Sequence, residues 1–459
     1  MNGKSLIRVF FIAAIVSGSL RAAPEVVPNS YIVQVDPAQD LGDVAERVLQ
    51  ATGGRIGHLY FDALWGFSVQ LPPGLPKSAV LRNAGVLMVE EDLVMHAFEQ
   101  TLPTGIDRID AEWNNTAKID GVDDRVNVGV AIIDTGIDID HPDLNVVGGK
   151  HFYTSSGGPP WARGSQSDDN YDDDHGHGTH VAGTVAALDN QSGVVGVAPG
   201  ASLYAVKVLD SSGSGYLSDI IAGIDWVTAN AGQIEVANMS LGGQGVSDSY
   251  RQAIQTSVAA GVVYVVAAGN DSRDVYGPDG TFETSDDTIP AAYPEVATIS
   301  ALADSDGQPG GSGGSTSYGS DDSFASFSNY SHSVINDNPV SSPGAAIDLI
   351  LPGVNILSTV PGGYQGGWSG TSMASPHAAG LAALYIAANG RASDAAGVYS
   401  IRQALIDTGM DQASGNRLAD PTTEPDSNPE PLGWAGPLGD VDYPPTVSIS
   451  DPLDGSTVS

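Results

Sequence analysis

Apolar and polar positions follow two different rhythms along this chain, and the change of rhythm divides it. From residue 24 to about 98, short alternating stretches surround one segment of helical spacing. Tyr31-Ile32-Val33-Gln34-Val35 alternates like a strand, and residues 41–50 repeat apolar side chains every three or four positions. Phe67-Ser68-Val69-Gln70-Leu71 and Val86-Leu87-Met88-Val89-Glu90 read as further strands, so this part is expected to be a small α+β unit. From about 99 to 419 the alternation disappears. Mostly apolar runs at 128–133, 203–209, 262–267 and 296–301 are separated by longer helical segments and glycine-rich turns. Strands apolar on both faces that alternate with helices predict an α/β fold: a mostly parallel sheet between two helical layers. A helix rich in Ala, Gly and Leu is expected over the residues that follow Gly370, with Pro376 in its first turn.

The two ends read differently. Lys4 and Arg8 precede an apolar run at 9–16, and Leu20-Arg21-Ala22 offers a cleavage site, so residues 1–23 are expected to be a secretory signal peptide. The apolar run is too short to span a bilayer, and no later stretch is long and apolar enough to do so. A secreted protein that leaves the membrane once the signal is removed follows. Residues 420–445 are rich in Pro, Asp, Glu and Gly and are expected to be a linker. Residues 446–459 resemble the start of an immunoglobulin-like β domain that is cut short. No internal repeat is visible.

Composition narrows the function. Against 18 Lys and Arg stand 55 Asp and Glu, a formal net charge of −37, which argues against nucleic acid or anionic membrane as partner. It fits solubility in salt and oxygen ligation of hard divalent cations. The chain has no cysteine, so neither disulfides nor thiolate metal sites are available. Nothing signals oligomerisation, and a monomer is the default.

Three motifs carry chemistry. Val130-Ala131-Ile132-Ile133-Asp134-Thr135-Gly136 puts a carboxylate at the end of a buried strand, where open α/β sheets collect functional groups. His175-Gly176-His177-Gly178-Thr179-His180 places imidazoles on a glycine-rich turn entering a helix. Gly370-Thr371-Ser372-Met373-Ala374-Ser375-Pro376-His377 sets a serine at a helix start, near free N–H groups that suit an oxyanion. Serine is a weak nucleophile without a base and an orienting acid. The order acid, histidine, serine is one of those in which such a triad occurs.

Together with Ala267-Ala268-Gly269-Asn270, these motifs make the chain resemble the subtilisin (subtilase) family of serine endopeptidases over about 99–410. The resemblance implies a three-layer subtilisin-like catalytic domain at 99–419, preceded by an inhibitor-like propeptide at 24–98. It implies Ser372 as nucleophile, His177 as general base, Asp134 as the group that orients the imidazole, and Asn270 as oxyanion donor. Ser240-Leu241-Gly242 and Gly213-Ser214-Gly215 resemble the two strands that sandwich an extended peptide, with Leu217, Ile220 and Leu241 lining an apolar pocket. Thr288 falls at the floor of the primary pocket, where many relatives have glycine. Calcium is the implied structural cofactor, held by Gln100, Asp143 and Asn190 through side chains and by Leu188, Ser192 and Val194 through backbone carbonyls. The acidic insertions at 168–174 and 271–287 are further places for ions. The junction Phe98–Glu99 resembles a self-processing site, after which the propeptide acts as intramolecular inhibitor.

Other readings are weaker. A zinc site of His175, His177 and His180 lacks thiol partners. A second D-T-G at Asp407 would complete an aspartic protease pair, but it follows a helical segment and the α/β alternation is wrong for that enzyme. A lipase needs G-x-S-x-G and its acid after the serine. A catalytically silent binding or adhesion module on the same fold is the alternative from another class, and the intact set of four residues speaks against it.

Overall fold

A computed structural model of the chain describes residues 26–93, 100–155, 164–411, 424–426 and 428–436. The expected signal peptide, the Phe98–Glu99 junction and the β segment at 446–459 lie outside the described residues. The chain folds as two compact units, Met1–Ala97 and Phe98–Ser459.

In the first unit four antiparallel strands pair in the order Arg55–Tyr60, Gly66–Gln70, Val26–Val35, Val86–Leu93. Val33 and Phe67 are cross-strand partners, and with Val35 and Val69 they pack against Leu41, Val44 and Val48 of the helix Leu41–Thr52. That helix starts at Asp40, whose carboxylate accepts the Asp43 N–H at 3.0 Å, and stops at Gly53 in the left-handed region. The edge strand Arg55–Tyr60 is largely exposed and carries no alternating apolar face, so the hydrophobic pattern does not reveal it.

In the second unit one sheet of nine strands runs Ser323–Phe324, Ala297–Ala303, Val263–Ala267, Val236–Met239, Gly129–Asp134, Ser202–Lys207, Val146–Ser155, Gly164–Asp168, with Leu349–Pro352 also paired to Ala297–Ala303. All pairings are parallel except those of the short strand Ser323–Phe324 and of Gly164–Asp168. The α/β expectation holds. Val130, Ala131, Ile132 and Ile133 have no exposed surface, which is why their run is continuously apolar.

The helix Thr371–Asn389 lies across five strands of the sheet with His177–Ala186 beside it, while Leu217–Ala229 and Asp248–Ala259 pair in a second layer. Its small residues allow close approach: a Cβ on Gly380 would stand 2.4 Å from Val197 Cβ. Pro376 departs from expectation, because the helix begins at Thr371 and places the proline in its second turn. There a proline removes a hydrogen bond to the carbonyl four residues back. That carbonyl belongs to Ser372, and the Ser240 hydroxyl takes it at 2.9 Å.

The expected linker at 420–445 is corrected over 424–426 and 428–436. Leu432 is fully buried and bridges Ile350 and Met410, and Trp434 and Ala435 are nearly so. Glu430 is buried against Ser300. Proline and acidic residues made the segment read as solvated, but its few apolar side chains finish the sheet edge, so the packed part of the second unit extends past 419. Asp407 sits near the end of the helix Ala395–Thr408 and accepts from Gln403 at 2.8 Å, a local helix contact.

The same helix is tied in by a buried ion pair. Arg402 donates through Nε and Nη2 to Asp348 at 2.9–3.2 Å and through Nη1 to the Pro294 carbonyl at 2.8 Å. Arg402→Met leaves Asp348 charged and unpaired, and is expected to cost about 3–5 kcal/mol of stability in denaturant unfolding, measured in an inactive background. A loss below about 1 kcal/mol would show that the pair is dispensable.

Candidate active site

The Gly129–Asp134 strand lies between Ser202–Lys207 and Val236–Met239. The strands that follow it fill one side of it first and then the other, so the direction of build-up switches at its carboxyl end, where open sheets leave a crevice. Asp134 is the last residue of that strand and is completely buried. Its Oδ1 accepts the Thr135 N–H at 2.7 Å, and His177 Nδ1 stands 2.8 and 2.9 Å from its two oxygens. Burial pulls the His177 imidazole down, but the charge and hydrogen bond of Asp134, helped by Asp173, hold it above its ordinary value.

His177 opens the helix His177–Ala186, and the preceding turn is organised by a residue the motif does not name. Asp173 accepts the Thr135 hydroxyl and the His175 and Gly176 N–H groups on one oxygen, and the Thr179 N–H and hydroxyl on the other, all within 3.0 Å. The acidic run was its only signal, and that run also reads as a solvated loop. Gly178 lets strand and helix meet, since a Cβ there would stand 2.1 Å from the Gly136 carbonyl oxygen. The flanking imidazoles have other tasks. His180 is buried, stacks on Trp368 at 4.9 Å and contacts the Ile356 carbonyl, and burial pushes it down to about 3. His175 lines the cleft.

Ser372 stands in the first turn of Thr371–Asn389, and its Oγ donates to the Ser240 carbonyl at 3.2 Å. The Ser240 hydroxyl joins Asn238, Ser375 and the Ser372 carbonyl at 2.8–2.9 Å. Asn270 is held through Oδ1, which accepts the Thr371 N–H at 2.8 Å and its hydroxyl at 2.9 Å, so its Nδ2 is the amide end left to donate. Gly269 has φ 107 with a Cβ position 2.4 Å from Asn329 Nδ2, and only glycine fits there.

Two clefts meet at Ser240-Leu241-Gly242. One, of about 470 Å³, is lined by His177, Gly213, Ser214, Gly215, Ile220 and Leu241 among others. The second, of about 550 Å³, is lined by Asn270, Ser372 and Thr288 among others. Leu217 does not line the first cleft. It begins the helix Leu217–Ala229 and is 37% exposed, whereas Leu209, 9% exposed, takes the apolar place beside Ile220. A serine hydroxyl, an imidazole held by a buried carboxylate and a fixed amide donor around an open cleft can carry out acyl transfer.

A second cluster gathers around Asp143, which is 1% exposed. Its Oδ1 accepts the Asn190 amide at 2.9 Å and its Oδ2 the Val194 N–H at 3.0 Å. Burial lifts this carboxyl, opposed by those hydrogen bonds, His141 and Tyr364. Ser192 donates its N–H and hydroxyl to Asn190 Oδ1 at 3.0 and 2.9 Å. The Gln100 amide nitrogen lies between the Leu188 and Val194 carbonyls at 2.6 and 3.1 Å. The six residues expected around calcium are thus neighbours, and Tyr364 joins them from a distant hairpin. The insertion at 168–174 is instead engaged by protein: Asp168 by His151, Asp169 by Lys150 and Asp174 by Lys207.

Residues 126–429 match the model of the subtilase family. Subtilisin E of Bacillus subtilis (strain 168) is 42% identical over 305 residues, 66% of each chain, so this chain spans just under two thirds of that relative's length. The alkaline protease of Alkalihalobacillus alcalophilus is 33% identical over 383 residues, 81% of this chain and 85% of that one. A solved structure titled as a cold adapted subtilisin-like serine proteinase is 32% identical, with a TM-score of 0.49 over 73% of this chain and 98% of its own.

The Asp134 contact makes a prediction about charge. His177 is expected to titrate above 6.5 by NMR, and Asp134→Asn to lower that value. A folded-state value above the unfolded one means the pair stabilises the fold below about pH 6.5, and that contribution is lost as pH rises through the folded value. An unchanged titration in Asp134→Asn would remove Asp134 as the cause.

Proposed function

The chain belongs to the subtilase family, and on that premise we propose that it is a secreted serine endopeptidase that cleaves proteins through an acyl-enzyme. The observation that carries the reading is the His177 imidazole held by Asp134 on the wall of the cleft that leads to Ser372. Ser372 Oγ attacks the scissile carbonyl and passes its proton to His177, whose imidazolium Asp134 then stabilises. Rotation of the hydroxyl from the Ser240 carbonyl to the imidazole precedes attack. Asn270 Nδ2 and the Ser372 N–H receive the oxyanion, and His177 returns the proton to the leaving amine. The glycine-rich edges 213–215 and 240–242 pair with an extended substrate backbone, which gives affinity with little sequence preference. Thr288 shortens the primary pocket and disfavours the largest aromatic side chains.

The precursor reading rests on the first unit and on the N-terminal sequence pattern. Residues 1–23 direct export, 24–98 fold as the propeptide and inhibitor, and cleavage at Phe98–Glu99 releases the enzyme. Among the described residues no helix is long and apolar enough to cross a membrane.

Calcium fits the Asp143 cluster. Exchanging the oxygen and nitrogen of the Gln100 amide, which shape alone does not distinguish, turns its contacts with Leu188 and Val194 into three oxygens around one point. With the buried Asp143 carboxylate and the Asn190 and Ser192 oxygens, that is a hard, all-oxygen donor set. The ion would supply charge balance and pin the loop after the His177–Ala186 helix.

Three outcomes test this. Ser372→Ala should lose peptide hydrolysis by roughly 10⁶-fold and leave the precursor uncut; undiminished activity would overturn the nucleophile, and a folded but inert wild type would favour the binding-module reading. Asn270→Ala should lower kcat by about 10²–10³-fold with little change in KM. Chelator should lower the thermal midpoint, by the equivalent of about 2.7 kcal/mol against calcium at 100 times its Kd, and Asp143→Asn should abolish that difference.

A further inference from the structure

Away from the cleft, residues 304–322 leave the Ala297–Ala303 strand and return to Ser323–Phe324 as a glycine-rich acidic loop. One carboxylate oxygen from each of Asp304, Asp306 and Asp321 lies within 4.8 Å of one from each of the others. Such proximity is unfavourable for three anions unless a cation or protons intervene. Asp304 and Asp321 are 2% and 5% exposed, and Asp306 is exposed at the mouth.

The hydrogen bonds around these groups leave one buried oxygen over. Asp304 Oδ1 accepts the Asp306 and Gly307 N–H groups at 3.3 and 3.1 Å. Asp321 Oδ1 accepts the Ser305 N–H and hydroxyl at 2.8 and 2.9 Å, and its Oδ2 accepts the Gly313 N–H at 2.7 Å. Asp306 Oδ1 accepts the Gln308 N–H at 2.9 Å. Asp304 Oδ2 is buried with no partner. A buried anionic oxygen without a donor is strongly disfavoured, so this one points to a ligand.

Charge balance gives the same answer. The positive group that acts on Asp304 is Arg108, and its Nε is bound to Asp322 Oδ1 at 2.7 Å. Asp322 Oδ2 takes the Gly310 and Gly311 N–H groups at 2.6 and 2.9 Å. The guanidinium that acts on Asp304 is thus shared with a second carboxylate.

We propose that Asp304, Asp306 and Asp321 bind a divalent cation of the calcium class. The donors are all carboxylate oxygen, which selects hard ions over zinc or copper, and the exposed side at Asp306 leaves room for water ligands. The site shares no residue with the Asp143 cluster. Its ion joins the start of the loop, Asp304 and Asp306, to its end at Asp321.

Calcium binding to the full chain carrying Ser372→Ala, stripped with chelator and titrated with CaCl₂, tests the site by calorimetry and by metal analysis after dialysis. Asp306→Ala and Asp304→Asn are each expected to bind one equivalent less than the parent. Asp143→Asn is expected to lose a different equivalent, so that Asp143→Asn with Asp306→Ala loses two. If Asp304→Asn does not fold, the exposed Asp306→Ala decides. A folded Asp306→Ala with the parent's stoichiometry and affinity would overturn the proposal. So would a parent whose calcium disappears entirely in Asp143→Asn, an outcome that leaves the Asp143 site standing.

Discussion

The second unit is arranged around a buried carboxylate. Asp134 has no exposed surface at the end of the central strand, and a charge in such a place persists only if hydrogen-bonded and paired. The Thr135 N–H and His177 Nδ1 meet that need. Both contacts require the strand end, the turn behind it and the start of the His177–Ala186 helix to keep fixed positions. Asp173 imposes the same condition from the other side, tying Thr135, His175, Gly176 and Thr179 together. An imidazole held so closely loses little freedom when it takes up a proton, which is what a general base requires.

A second constraint acts through Pro376. Within the helix it leaves the Ser372 carbonyl without its usual partner, and the Ser240 hydroxyl supplies the missing bond. Ser240 thereby joins the serine-bearing helix to the segment that walls both clefts, while its own carbonyl receives Ser372 Oγ. A residue expected to serve substrate through its backbone also braces the turn that carries Ser372 through its side chain.

The acidic surplus is not simply a solvated surface. Asp173, Asp189, Asp287, Asp321 and Asp322 spend their oxygens on backbone N–H groups of loops, where they do the work of short turns. A chain with 55 acidic and 18 basic residues cannot pair its charges by salt bridges, so amide donors and cations are the available partners.

Sequence by itself determined the α/β class, the apolar runs that become central strands and the motifs around Asp134, His177, Asn270 and Ser372. Each is legible locally: a strand buried on both faces is continuously apolar, and the site motifs need particular small residues beside the reactive group. Tertiary structure decided what depends on distance along the chain. Leu209 rather than Leu217 lines the apolar cleft, Tyr364 approaches Asp143 from a hairpin far along the chain, and residues 424–426 and 428–436 pack where composition reads as linker. The Asp304, Asp306 and Asp321 cluster was equally hidden, because Asp321 lies far along its loop from the other two and only the folded loop closes the gap. Periodicity reports which face of an element is buried; it carries no information about which distant segment buries it.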